Sequence, residues 1–184
     1  MVHLFLAEGF EEIEALTVVD ILRRAGVDIK TVSISDKKEV IGSNGIRVVA
    51  DALFDDIASE VSDMLILPGG VPGAFNLNDH QGLQSLLLKQ HAEGKWIAAI
   101  CAAPLVLGGL GILEGKKATC YPGFEEKLKG AVTTGTLTAI DGNVITGKGP
   151  AAAIPFAFSL VEHLCGNNAV EELQTGMLYK ELLG

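Results

Sequence analysis

Short, unbroken apolar runs alternate along this chain with stretches of helical periodicity, and several of the runs stop abruptly at small or kinked residues. Val2 to Leu6 ends at Ala7-Glu8-Gly9, Met64-Leu65-Ile66-Leu67 at Pro68-Gly69-Gly70, and Trp96-Ile97-Ala98-Ala99-Ile100 at Cys101-Ala102-Ala103-Pro104. A strand buried on both faces reads as such a run, and parallel neighbours need helical crossovers between them. The pattern predicts an α/β protein, a doubly wound three-layer sandwich with a mostly parallel sheet. Ligands in such folds collect outside the carboxyl ends of the strands, which is where Glu8, Gly69, Gly70 and Cys101 fall.

Between these runs, helices are expected over Glu11 to Ala25, closed by Gly26, and over Gln81 to Glu93, closed by Gly94. Val27 to Ser33 reads as a second strand, Glu39-Val40 and Arg47 to Ala50 as an extended excursion, and Asp55 to Ser59 as a short helix. Thr136 to Ile140 and Val144 to Thr146 flank Asp141-Gly142-Asn143, a hairpin signal. Helices over Ala152 to Leu164, with Pro155 in the first turn, and over Ala169 to Leu178 close the chain.

Composition narrows the function. The 184 residues suit one domain over 1–184, with a core rich in small aliphatics. Acidic residues outnumber basic ones 23 to 14, a net charge of -9 that repels nucleic acid and anionic lipid. The first apolar run is too short for a signal peptide and no segment is long enough to span a membrane, so a cytoplasmic protein is expected. Three widely spaced cysteines and four scattered histidines give neither a disulfide framework nor metal-ligand spacing. No cofactor is implied.

Cys101 sits at a strand-to-helix elbow, where unpaired N–H groups and the positive end of a helix favour an anion, so its thiol is expected to ionise more readily than a free cysteine. The plain alternative is a cysteine that only packs. Gly69 and Gly70, at the same sheet edge, let backbone approach a ligand, and the Gly70 and Ala102 amides are candidates for an oxyanion hole, each donor worth on the order of 3 kcal/mol of barrier. Glu14, one turn into the first helix, is placed to reach the thiol; two such groups share a proton, leaving Glu14 protonated against the sulfur. Glu11 and Glu12 read as ordinary first-turn acids. Tyr121 is a further candidate for the pocket, against the alternative of a core or interface tyrosine, and Cys120 and Cys165 read as structural. Gly142 to Gly149 nearly spells a phosphate loop, but Gly149 stands where a hydroxyl residue is needed and Val144-Ile145-Thr146 reads as strand.

The first helix carries one apolar stripe of Ala15, Val18, Val19, Leu22 and Ala25, while Leu16, Thr17 and Ile21 lie on the opposite side. The expectation is a homodimer in which a second subunit covers Leu16, Thr17 and Ile21.

Taken together, Leu6 to Glu14, Asp20 to Gly26, Leu67-Pro68-Gly69-Gly70, Ala98 to Pro104 and Lys148-Gly149-Pro150 resemble the ThiJ/PfpI superfamily, in particular the branch of the parkinsonism-associated protein deglycase. The resemblance implies a flavodoxin-like sandwich of the class I glutamine amidotransferase type, usually dimeric, with Cys101 as nucleophile, Glu14 touching its sulfur, and the Gly70 and Ala102 amides as anion site. Active relatives usually carry a histidine where this chain has Tyr121, and an arginine that many bring from the partner is replaced by Asn44. A phenol donates a hydrogen bond but is a poor base at neutral pH, so base duty passes to Glu14. The implied activity is a cofactor-independent glyoxalase or deglycase acting on small 2-oxoaldehydes. The alternatives are a cysteine-based oxidative-stress sensor or chaperone and, more distantly, a peptidase.

Overall fold

The computed structural model describes residues 1–57 and 60–182. In chain order its elements are β1 (Val2–Leu6), α1 (Glu12–Arg24), β2 (Ile29–Ser33), β3 (Glu39–Ile41), β4 (Arg47–Val49), β5 (Ala52–Leu53), β6 (Met64–Leu67), α2 (Gly73–Asp79) and α3 (Gln81–Ala92). There follow β7 (Trp96–Ile100), α4 (Pro104–Gly109), β8 (Lys117–Ala118), β9 (Val132–Thr133), β10 (Thr138–Asp141), β11 (Val144–Gly147), α5 (Ala153–Cys165), α6 (Asn167–Gly176) and α7 (Tyr179–Leu182).

The main sheet runs β10-β11-β7-β6-β1-β2-β5, and its pairs are parallel except for the β10–β11 hairpin. Omitting the edge strands, the order β2-β1-β6-β7-β11 is the 2-1-3-4-5 arrangement of flavodoxin-like sheets, whose topological switch point lies between the first and third strands of that series. β1 and β6 are those two strands, and β1 is buried along its whole length, as its continuous apolar run requires. The expected hairpin forms around Asp141 to Val144, and the expected excursion is the antiparallel pair β3–β4. The short helix expected over 55–59 is a 3-10 turn, Phe54–Ile57, with residues 58 and 59 outside the described part of the chain. The α2 helix was not anticipated.

β1 contains one polar exception. His3 is fully buried, and its ring nitrogens pair with Ser62 Oγ and, at 2.9 Å, with Glu60 Oε2, while Lys30 Nζ donates to Glu60 Oε1 at 2.6 Å. The network satisfies a ring that burial would otherwise penalise, and the same burial holds the imidazole below its ordinary pKa.

The first helix corrects one expectation. Ile21 is fully buried rather than outward-facing, because α1 packs against α5 of the same chain as well as against the sheet. The second apolar side of α1 therefore finds much of its cover within the fold. Leu16, at the margin of exposure, and half-buried Thr17 remain on the outer side, beside Ile13, which is 57% exposed.

Candidate active site

Cys101 follows β7 directly and adopts φ 64°, a left-handed backbone that an L-residue holds at a cost of about 1–3 kcal/mol. Surrounding hydrogen bonds enforce it: the Cys101 N–H donates to Gly147 O at 2.9 Å, and its carbonyl accepts from Tyr121 N–H at 2.8 Å. The elbow turns the side chain away from the strand and toward the β6 end, where the chain bends at Gly69. A Cβ on Gly69 would stand 2.6 Å from Cys101 Cβ and 2.8 Å from Glu14 Oε2, so only glycine lets β6 close on the thiol and the carboxyl together.

Glu14 reaches this point from α1. Its helix starts at Glu11, whose carboxylate accepts from the Glu14 N–H at 2.8 Å as an N-cap, and whose own N–H donates to Gly69 O at 3.0 Å. The α1 start is thus tied to the β6 turn. The Glu14 side chain is fully buried; Oε2 accepts from Gly69 N–H at 2.8 Å, and Oε1 has no conventional hydrogen-bond partner. The carboxyl and the thiol lie close enough to shift one another: the contact lowers the carboxyl and raises the thiol.

Burial drives the Glu14 carboxyl from 4.5 up to about 7, against the lowering effect of the thiol and the Gly69 amide. The expectation of an easily ionised thiol is corrected: burial first, then the neighbouring Glu14 charge, push the Cys101 thiol up, and the Gly70 and Ala102 amides that donate toward the sulfur pull it only partly back. The helix that follows, α4, is short, so its end adds little beyond these amides. Two groups that cannot both ionise titrate as a pair, and losing the first proton leaves one negative charge to divide between sulfur and carboxyl.

Cys101 is 8% exposed and opens into a concavity of about 260 Å³. The walls include Glu11, Gly70, Val71, Tyr121, Phe124 and Pro150. The structure therefore brings Cys101, Glu14, Gly69, Gly70, Ala102 and Tyr121 to one sheet edge. Tyr121 sits at the mouth, 47% exposed, its ring over Gly149. A larger hollow of about 380 Å³ between the end of α1 and α6 holds no nucleophile among its described residues. Glu8 faces elsewhere, accepting from Ile41 N–H at 3.2 Å. Cys120 is buried, its thiol raised to about 11 by desolvation and by Glu125, whereas Cys165 is exposed at the end of α5.

Two acidic residues do more than first-turn statistics implied. Glu11 lines the concavity beside the thiol. Glu12 is buried and accepts from Ser43 Oγ (3.2 Å), Asn44 N–H (2.7 Å), Asn44 Nδ2 (2.9 Å) and Ile46 N–H (3.3 Å), clasping the β3–β4 turn to α1. Asn44 is thereby committed to a structural contact. The spacing of three glutamates near the end of a buried strand was the available signal, but which faces the thiol depends on the cap that turns the helix.

Comparison with known proteins agrees with this fold. Residues 1–163 match the DJ-1/PfpI family. An Arabidopsis thaliana protein, DJ-1 homolog A, is 40% identical over 178 residues, 95% of this chain but 45% of that protein, so the chain spans less than half of that relative's length. The Caenorhabditis elegans protein named glutathione-independent glyoxalase DJR-1.2 is 34% identical over 172 residues, covering 90% of this chain and 89% of the relative. The structure of oxidized Toxoplasma gondii DJ-1 superposes with a TM-score of 0.93 at 36% identity, over 96% of this chain and 97% of that one.

Proposed function

The chain belongs to the DJ-1/PfpI family, and from that premise we propose that it is a cofactor-independent glyoxalase of small 2-oxoaldehydes such as methylglyoxal, with deglycase action on the adducts of such aldehydes as a secondary activity. One observation carries the reading: the strained Cys101 elbow holds a thiol between a buried carboxyl of raised proton affinity and two inward amides. A relative of 34% identity named as a glutathione-independent glyoxalase supports it.

In this reading the Cys101 sulfur attacks the aldehyde carbon while Glu14 takes the thiol proton, and the carbonyl oxygen, protonated in turn, completes a hemithioacetal. The Gly70 and Ala102 amides hold the oxygen as it gains charge, with the Tyr121 hydroxyl as a further donor. Glu14 then carries the aldehyde hydrogen, as a proton, to the adjacent carbon, leaving a thioester, which water hydrolyses to a 2-hydroxy acid and free thiol. The balance is one aldehyde plus one water to one hydroxy acid, with no external oxidant. Lactate formation from methylglyoxal tests it: the wild type is expected to turn over and Cys101→Ser to lose activity, and equal rates would remove the proposal.

A second reading, a cysteine-based oxidation sensor or chaperone, rests on the same sulfur: amides that cradle an oxyanion also suit a sulfinate, and Tyr121 supplies no histidine base. Mass spectrometry after mild peroxide decides it, since oxidation concentrated at Cys120 or Cys165 argues against it. The peptidase reading is weaker, because the same tyrosine leaves a departing amine without its usual proton donor.

Self-association is proposed through the outer side of α1, where Ile13 and Leu16 are exposed and Thr17 is half-buried, with Ile21 excluded. Sedimentation showing only monomer at micromolar concentration would reject it. No described helix is long and apolar enough to cross a membrane.

A further inference from the structure

Apart from the cysteine itself, the titratable groups on the described walls of the Cys101 concavity are Glu11 and Tyr121, and no lysine, arginine or histidine joins them. Glu11 is held there by its cap bond to the Glu14 N–H and by its own amide on Gly69 O. A Cβ on Gly70 would come within 2.5 Å of Glu11 N, which places the start of α1 hard against the anion-binding turn. An acceptor-only group fixed beside a reacting sulfur, with no cation opposite, sets a field that any incoming molecule must cross.

We propose that Glu11 is the specificity-determining residue of this pocket: its carboxylate admits uncharged 2-oxoaldehydes and turns away aldehydes that bear a carboxylate. The assignment rests on the glyoxalase reading for its substrate class, but not for its test. Partial burial raises the Glu11 carboxyl above its ordinary value, opposed by the Glu14 amide, so part of its field toward the pocket is carried through protein rather than water. The expected preference is about tenfold per unit of ligand charge.

The experiment compares iodoacetamide with iodoacetate, small reagents that share a leaving group and differ by one negative charge, with alkylation read separately at each cysteine by peptide mass spectrometry. Taking the ratio of the two rates cancels the thiolate fraction, and exposed Cys165 reports the effect of the protein's overall charge within the same sample. In the wild type the amide-to-acetate ratio at Cys101 is expected to exceed that at Cys165 by about tenfold. Glu11→Gln keeps a capping oxygen without the charge and is expected to bring the ratio to within about threefold of the Cys165 value, while Glu11→Asp keeps it high. Glu11→Ser, a strong capping residue, serves where the Gln variant fails to fold. A Cys101 ratio unchanged in the uncharged variants overturns the assignment. Because no turnover is read, a wild type that makes no hydroxy acid would sink the glyoxalase reading and leave this result standing.

Discussion

Gly69 and Cys101 are packed so closely that a methyl group on the glycine would stand 2.6 Å from the cysteine Cβ. The same methyl would lie 2.8 Å from Glu14 Oε2, so this one position sets the spacing of sulfur and carboxyl. Neither neighbour can yield easily, since one is locked at a strained elbow and the other is fully buried. Gly69→Ala is therefore expected to cost about 2–3 kcal/mol of stability and at least about a hundredfold in kcat/KM. Urea denaturation and steady-state kinetics check both values.

Glu14 makes a prediction with a definite sign. Its carboxyl is raised from 4.5 to about 7 on folding, so between those values the native state binds more protons than the unfolded chain, and stability falls as pH rises. The cost is complete above pH 7 and absent below 4.5, and corresponds to about 3 kcal/mol. Glu14→Gln removes it: relative to the wild type, the variant should gain about 2–3 kcal/mol between pH 5 and pH 8, as measured by denaturant midpoints at the two pH values.

Tyr121 stands at the mouth of the concavity with its ring half-exposed, so its hydroxyl contributes little to folding. Tyr121→Phe should leave the melting temperature within about 2 °C and lower kcat about tenfold, the loss of one partly hydrated donor to an oxyanion. An unchanged kcat would remove Tyr121 from the chemistry.

Much of the sheet was legible because a buried parallel strand writes itself as an uninterrupted apolar run. Trp96 to Ile100 and Met64 to Leu67 fixed β7 and β6, and with them the edge on which Cys101 and Gly70 meet. What stayed hidden depends on tertiary packing. Gly73–Asp79 forms α2 although its glycine and asparagines carry no helical signal. Ile21 looked outward on a helical wheel, but a wheel knows nothing of α5 lying alongside. The roles of Glu11, Glu12 and Glu14 diverge through their surroundings: one caps the helix at the pocket wall, one holds a turn, one lies beneath the sulfur. The thiol's proton affinity is hidden for a related reason, because sequence shows the helix start but not how deeply Glu14 and Cys101 are buried together.

The central claim is that Cys101 and Glu14 titrate as one unit, and the pH dependence of Cys101 alkylation by iodoacetamide, read by mass spectrometry in the wild type and in Glu14→Gln, tests it most directly. In the wild type the rate is expected to climb up to about pH 7 and then level off, where the pair gives up its first proton and the Glu14 carboxylate begins to oppose the thiolate, whereas in the variant the levelling is gone and the rate keeps climbing past pH 7 to exceed that of the wild type. Superimposable profiles for the two proteins would contradict it.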